Sequence, residues 1–174
     1  MSVTDFFPPF QSATWTFEEK NASPGQRLPI TVASQATPAG RELVLTYPSS
    51  FPHPRAFFDR MIIEENRLTL SRILFAEQKL APQPPLVLTL DSQVNETADF
   101  FPGVPQIGLS IRPFRCATKK KTVKDGKWTI ELEARGTDQS IVYRATTLEF
   151  TIGRGLTRYV GDVFGFWFVY ERLD

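Results

Sequence analysis

The chain has 174 residues, 41% of them hydrophobic and 22% charged, with twenty basic against nineteen acidic side chains and a net charge of +1. These values fit one folded domain over residues 1–174 and exclude wholesale disorder, and near-neutrality excludes a global field that draws the molecule to nucleic acid or membrane. One histidine, His53, and one cysteine, Cys116, exclude His- and Cys-ligated metal centres, an internal disulfide and most nucleophile–base triads, and no cofactor motif replaces them.

Residues 1–12 carry Asp5, Pro8 and Pro9 where a signal peptide needs a basic and then an apolar region. The segment reads as a candidate flexible arm of an intracellular, cytoplasmic protein. The longest apolar run, Val163 to Tyr170, is too short to span a bilayer, so no transmembrane segment is expected.

Strand patterns dominate the rest of the chain. Thr14 to Glu18 alternates, with Trp15 and Phe17 on one face. Leu28 to Ala33 resumes an extended pattern in which Pro29, lacking an N–H, marks an edge or a strand start. Glu42 to Tyr47 reads as a strand buried on both sides. Phe58, Met61 and Ile62 then recur at helical spacing, which predicts one short helix over 54–65 opened by Pro54. Arg67 to Leu80 fits either period, a helix through Leu70, Ile73 and Leu74 or a strand over Leu68 to Phe75, of which the strand is preferred. Leu86 to Leu90 and Ile107 to Ile111 read as further strands.

Asp125-Gly126 between two extended runs is a strong type I′ hairpin signature, because both central residues need positive φ. A two-residue loop there sets Val123 opposite Trp128, Lys121 opposite Ile130 and Lys120 opposite Glu131. Trp128, Ile130 and Leu132 then share the inward face. A strand ending at Ile152, with Leu148, Phe150 and Ile152 inward, stops at Gly153-Arg154-Gly155, and a last strand, 163–171, is apolar on both faces and therefore central. The sum, about nine or ten strands and one short helix, predicts a mainly β fold, either an antiparallel barrel or a two-sheet sandwich. The Gly-x-Trp signature of the lipocalins is absent, since Ala13 and Thr14 precede Trp15, and no other family resemblance stands out.

Catalytic residues do not emerge. His53 sits between two prolines as an ordinary loop histidine, and Cys116 reads as a structural, partly buried thiol. The Gly-flanked Arg154 turn reads as a turn before it reads as an anion nest. Charge is unevenly spread: residues 1–100 carry eight basic and eleven acidic groups, residues 101–174 twelve and eight. Arg112, Arg115, Lys119, Lys120, Lys121, Lys124 and Lys127 cluster around the hairpin against one acid, Asp125. Such a cluster suits phosphates, an acidic protein or an anionic membrane, although lysines also keep exposed strand edges from mispairing.

Two functions are therefore expected, in this order. The first is a non-enzymatic binding or assembly protein, of the kind found among small viral structural or accessory components. Its basic hairpin would contact an anionic partner such as RNA or a membrane surface, with protein contacts or self-association besides. The second is a barrel that binds an apolar small molecule, extending to a cofactor-free isomerase or cyclase, with Trp128, Tyr143, Arg144, Phe166 and Phe168 as pocket residues and Glu149 as a further orienting group.

Overall fold

The protein, seen in a computed structural model, is described at residues 1–21, 26–48, 56–75, 78–80, 85–100, 114–136, 142–163 and 166–174. Among these residues a 3-10 turn at Val3–Phe6 precedes thirteen strands. They are β1 (Ser12–Glu19), β2 (Arg27–Thr37), β3 (Gly40–Thr46), β4 (Ala56–Ile63), β5 (Leu68–Phe75), β6 (Gln78–Leu80) and β7 (Leu86–Leu88). After them come β8 (Thr97–Phe100), β9 (Phe114–Lys124), β10 (Lys127–Gly136), β11 (Val142–Thr151), β12 (Gly155–Val163) and β13 (Phe166–Arg172). Hydrogen-bonded neighbours run β6-β5-β4-β3-β2-β1-β13-β12-β11-β10-β9-β8, all antiparallel, with β7 paired to β5 off this path. The sheet curls into a nearly closed twelve-strand barrel, so the barrel alternative holds and the sandwich does not.

Period-two alternation builds the wall. Trp15 and Phe17 of β1, Leu28, Ile30 and Val32 of β2, and Leu148 and Phe150 of β11 all turn inward and are buried. Pro29 is opposite Thr16 of β1 but lies on β2 before the pairing with β3 begins at Thr31, and this one-sided stretch tolerates the missing donor. The strand β3 is one-sided rather than buried on both sides: Leu43 and Leu45 face the core while Val44 is half-buried. As its apolarity requires, β13 is central, lying between β1 and β12. The expected strand over 107–111 lies outside the described residues.

The predicted helix over 54–65 is instead strand β4. Phe58 and Met61 both face the core because the β4–β5 register shifts between Phe58 and Arg60 and again between Arg60 and Met61. A bulge adds one residue to the period of two, and the resulting spacing of three mimics a helix. The same device explains β12, which alternation alone does not reveal. Leu156 and Tyr159 are both buried, three residues apart, because the β11–β12 register shifts between Glu149 and Phe150. Ile152, expected inward, stands in the turn beyond β11 and is 44% exposed.

The hairpin follows its predicted register, with Val123 opposite Trp128, Lys121 opposite Ile130 and Lys120 opposite Glu131. Asp125 and Gly126 take φ of 52° and 73°, the left-handed values that a type I′ turn demands. Trp128, Ile130 and Leu132 are buried.

The N-terminal twelve residues, expected as a flexible arm, lie across one end of the barrel with Val3, Phe6 and Phe7 buried. Phe6 meets Trp128 at 5.7 Å between ring centroids and Phe7 meets Phe150 at 5.4 Å. Backbone and guanidinium bonds hold the segment there. The Val3 N–H donates to the Glu65 carbonyl at 2.8 Å, the Gly153 N–H to the Asp5 carbonyl at 2.9 Å, and Arg41 donates to the carbonyls of Phe7 and Pro8 at 2.9 and 2.6 Å. Among the described residues no helix is long and apolar enough to cross a membrane.

Candidate functional site

The hairpin does not present one continuous basic face. Arg115, Lys119, Lys120, Lys124 and Lys127 are exposed, while Arg112 lies outside the described residues. Lys119 pairs with Glu133 at 3.4 Å and Lys127 with Glu149 at 2.9 Å. Lys121, counted with the surface cations, points inward. It is directly opposite Ile130, and residues opposite one another in an antiparallel pair share a face. The β9–β10 register shifts between Glu131 and Leu132, so a bulge brings Thr118, three residues from Lys121, to the same buried side.

Lys121 is ion-paired with Glu96, their side chains only 1% and 9% exposed. The Glu96 carboxylate also accepts hydrogen bonds from the Thr89 N–H at 2.9 Å, the Thr89 hydroxyl at 3.0 Å and the Thr118 hydroxyl at 2.8 Å. The Lys121 ammonium donates in addition to Thr89 Oγ1 at 3.3 Å. Burial pushes the Glu96 carboxyl up, but Lys121, Thr89 and Thr118 outweigh it and hold the group below its ordinary value. A buried charge of this kind persists only when fully partnered, and Glu96 and Lys121 partner each other.

Of the proposed apolar pocket residues, the side chains of Trp128 and Phe168 are described. Trp128 lies under the N-terminal segment, against Phe6 and Phe150. Phe168, in the same hydrophobic core, stacks on Tyr159 at 5.5 Å and leans on Tyr170 at 5.6 Å. Tyr143 and Arg144 are on β11 and Phe166 is on β13, with their side chains outside the described set. Glu149 holds Lys127 among the half-buried residues of the outer wall and orients nothing inside.

A different group of polar side chains gathers within the barrel. Tyr47 follows Leu43 and Leu45 at period two, and its hydroxyl donates to the Phe58 carbonyl at 2.9 Å. Burial raises its phenol well above the ordinary value, with the Tyr159 and Asp59 charges adding to the rise. Tyr159 is likewise raised, first by burial and then by the proximity of Cys116, against a lowering contact from Thr146. Tyr47 directly follows β3 and Tyr159 is on β12, two strands with three others between them in the sheet. Tyr47 is half-buried and packs against the hydrophobic core.

The chemistry of this end is that of neutral donors. At pH 7 both phenols are protonated, and burial pushes the Cys116 thiol up to about 12. Cys116 is accordingly expected to resist aromatic disulfide reagents at pH 8 until the chain unfolds; full reaction in the native state within minutes, read by absorbance, would contradict its buried placement. Tyr47 was legible in the alternation of β3, whereas Tyr159 was hidden by the β12 bulge. The turn around Arg154 is no anion nest, because its amides are occupied: the Gly153 N–H bonds Asp5 and the Arg154 N–H bonds Thr151. Among the described residues no group of three metal-ligating side chains gathers. Comparison with protein-family models, curated proteins and solved structures finds no match to this chain.

Proposed function

We propose that this chain is a binding protein that holds an apolar small molecule inside its barrel, at the end away from the N-terminal segment. The observation that carries this reading is the nearly closed barrel, on whose inner side the Tyr47 hydroxyl, bonded to the Phe58 carbonyl, and the Tyr159 ring, stacked on Phe168, combine neutral hydroxyls with aromatic carbon. Ring carbons of Phe168 and Tyr170 supply apolar wall, and the neutral hydroxyls of Tyr159 and Thr146 supply orientation. Binding is favoured over isomerase or cyclase chemistry, because general acid–base work needs a group titrating near the working pH. The phenols and the thiol here are all displaced upward, away from neutrality. Native mass spectrometry of the purified chain tests the reading. A bound mass on the order of a few hundred daltons, released on denaturation, is expected. A bare chain that also takes up no neutral apolar dye would overturn it.

A second reading rests on the exposure of Arg115, Lys119, Lys120, Lys124 and Lys127 on one hairpin: contact with a polyanion. Because Lys121 is internal, the informative variant is Lys119→Gln/Lys120→Gln/Lys124→Gln. Its salt dependence of heparin binding should flatten by a slope of roughly 2 to 3, with little change in melting temperature. An unchanged slope in a folded variant would leave the lysines as edge protection.

A further inference from the structure

Among the described residues, β7 and β8 come together without a ladder between them. Strand β7 pairs with β5 and strand β8 pairs with β9, but β7 and β8 are not hydrogen-bonded to each other as strands. What joins the two sides is a group of side chains around one carboxylate. Thr89, just after β7, donates twice to Glu96, just before β8. From β9, Thr118 and Lys121 donate to the same carboxylate, while the Glu96 N–H donates to Thr118 Oγ1 at 2.8 Å and the Thr118 N–H to the Glu96 carbonyl at 2.9 Å. Leu86, Leu88 and Ala98 around it are buried, so the join is the wall of the barrel here and no surface ornament.

Elsewhere among the described residues neighbouring strands are joined by backbone ladders, in which opening two strands breaks a row of backbone bonds at once. At this seam the polar bonds converge on one carboxylate, and apolar packing of Leu86, Leu88 and Ala98 supplies the rest. We propose that the β7–β8 seam is the lateral door of the barrel, latched by Glu96 with Lys121, Thr89 and Thr118, through which the internal ligand enters and leaves. The proposal rests on the reading of the interior as a ligand site. Regions that move to admit ligands are drawn from the least stable parts of a fold, and a seam closed by side chains alone is such a part. A latch that touches no ligand changes how often the door opens, so it alters entry and exit alike.

The test uses the full chain and the variant Thr118→Val, which removes one hydroxyl from the latch at nearly constant volume. Two quantities are read: hydrogen exchange of the peptides covering 86–98, and stopped-flow binding of the neutral dye N-phenyl-1-naphthylamine. The expected result is seam exchange that precedes that of β10–β13 in the parent chain and quickens by about tenfold in the variant. Dye association and dissociation should accelerate by the same factor with an unchanged Kd. Seam amides that exchange only with global unfolding would overturn the door. So would unchanged dye rates beside faster seam exchange, or a change in one rate alone, which would place Thr118 against the dye. Dye binding with unaltered rates refutes the door and keeps the internal site, whereas a parent chain that binds no dye refutes the internal site and the door with it.

Discussion

Replacing Glu96 by alanine is expected to lower the free energy of unfolding by about 3 kcal/mol, which is the low end of what is lost when one member of a buried ion pair is removed. The loss comes less from the missing attraction than from what stays behind. Lys121, 1% exposed, would keep its charge with only a threonine hydroxyl as partner. Replacing both partners together, as Glu96→Leu/Lys121→Met, should recover most of the loss, because two apolar side chains need no partners. The pH dependence has a definite sign. The Glu96 carboxyl is held below its ordinary value near 4.5, so its contribution is complete above that value and disappears as the pH falls through the lowered one. Urea titrations at pH 7 and pH 3 should therefore find a smaller difference between the parent and Glu96→Ala chains at the second than at the first. A constant difference across that range would mean that Glu96 is not ionised against Lys121.

Gly40→Ala should cost about as much, near 3 kcal/mol, from a single methyl group. Gly40 does not take the left-handed φ that favours glycine; those values belong to Gly126, Gly153 and Gly155. Its constraint is space. A Cβ at position 40 would lie 2.2 Å from the Ile63 carbonyl oxygen, with the Ile63 carbonyl carbon at 3.2 Å and Glu64 Cα at 3.3 Å. All three are backbone atoms, and Ile63 is fixed by pairing with both Arg41 and Leu68. No side chain can swing aside, so the β2–β3 turn must lift from the end of β4. At roughly 2–4 °C per kcal/mol for a chain of this size, the melting temperature should fall by about 10 °C. A variant melting within 2 °C of the parent would mean that this turn yields at no cost.

Most of the fold was legible where alternation was unbroken. The Asp125-Gly126 turn fixed the register of the hairpin, and Trp15, Phe17, Leu148 and Phe150 faced inward as period two requires. The errors of period share one physical cause. At Phe58–Met61, Leu156–Tyr159 and Thr118–Lys121 a bulge turns the period of two into three. The first imitated a helix, the second concealed β12, and the third turns Thr118 inward, whereas Lys121 faces inward through its predicted pairing with Ile130 and was nonetheless counted among the surface cations. A bulge carries no composition of its own here, so nothing in these residues announces it before the partner strand is known. The site was less legible than the fold for a further reason. Tyr47, Tyr159 and Glu96 gain meaning only from residues far away in sequence, and their polar atoms look ordinary until the barrel closes around them.

The internal ligand site is tested most directly by equilibrium titration of the purified chain with N-phenyl-1-naphthylamine, followed by its fluorescence. The account predicts blue-shifted emission that saturates at about one dye per chain, as a single enclosed apolar pocket requires. Emission that rises without saturation, or does not rise at all, would contradict it.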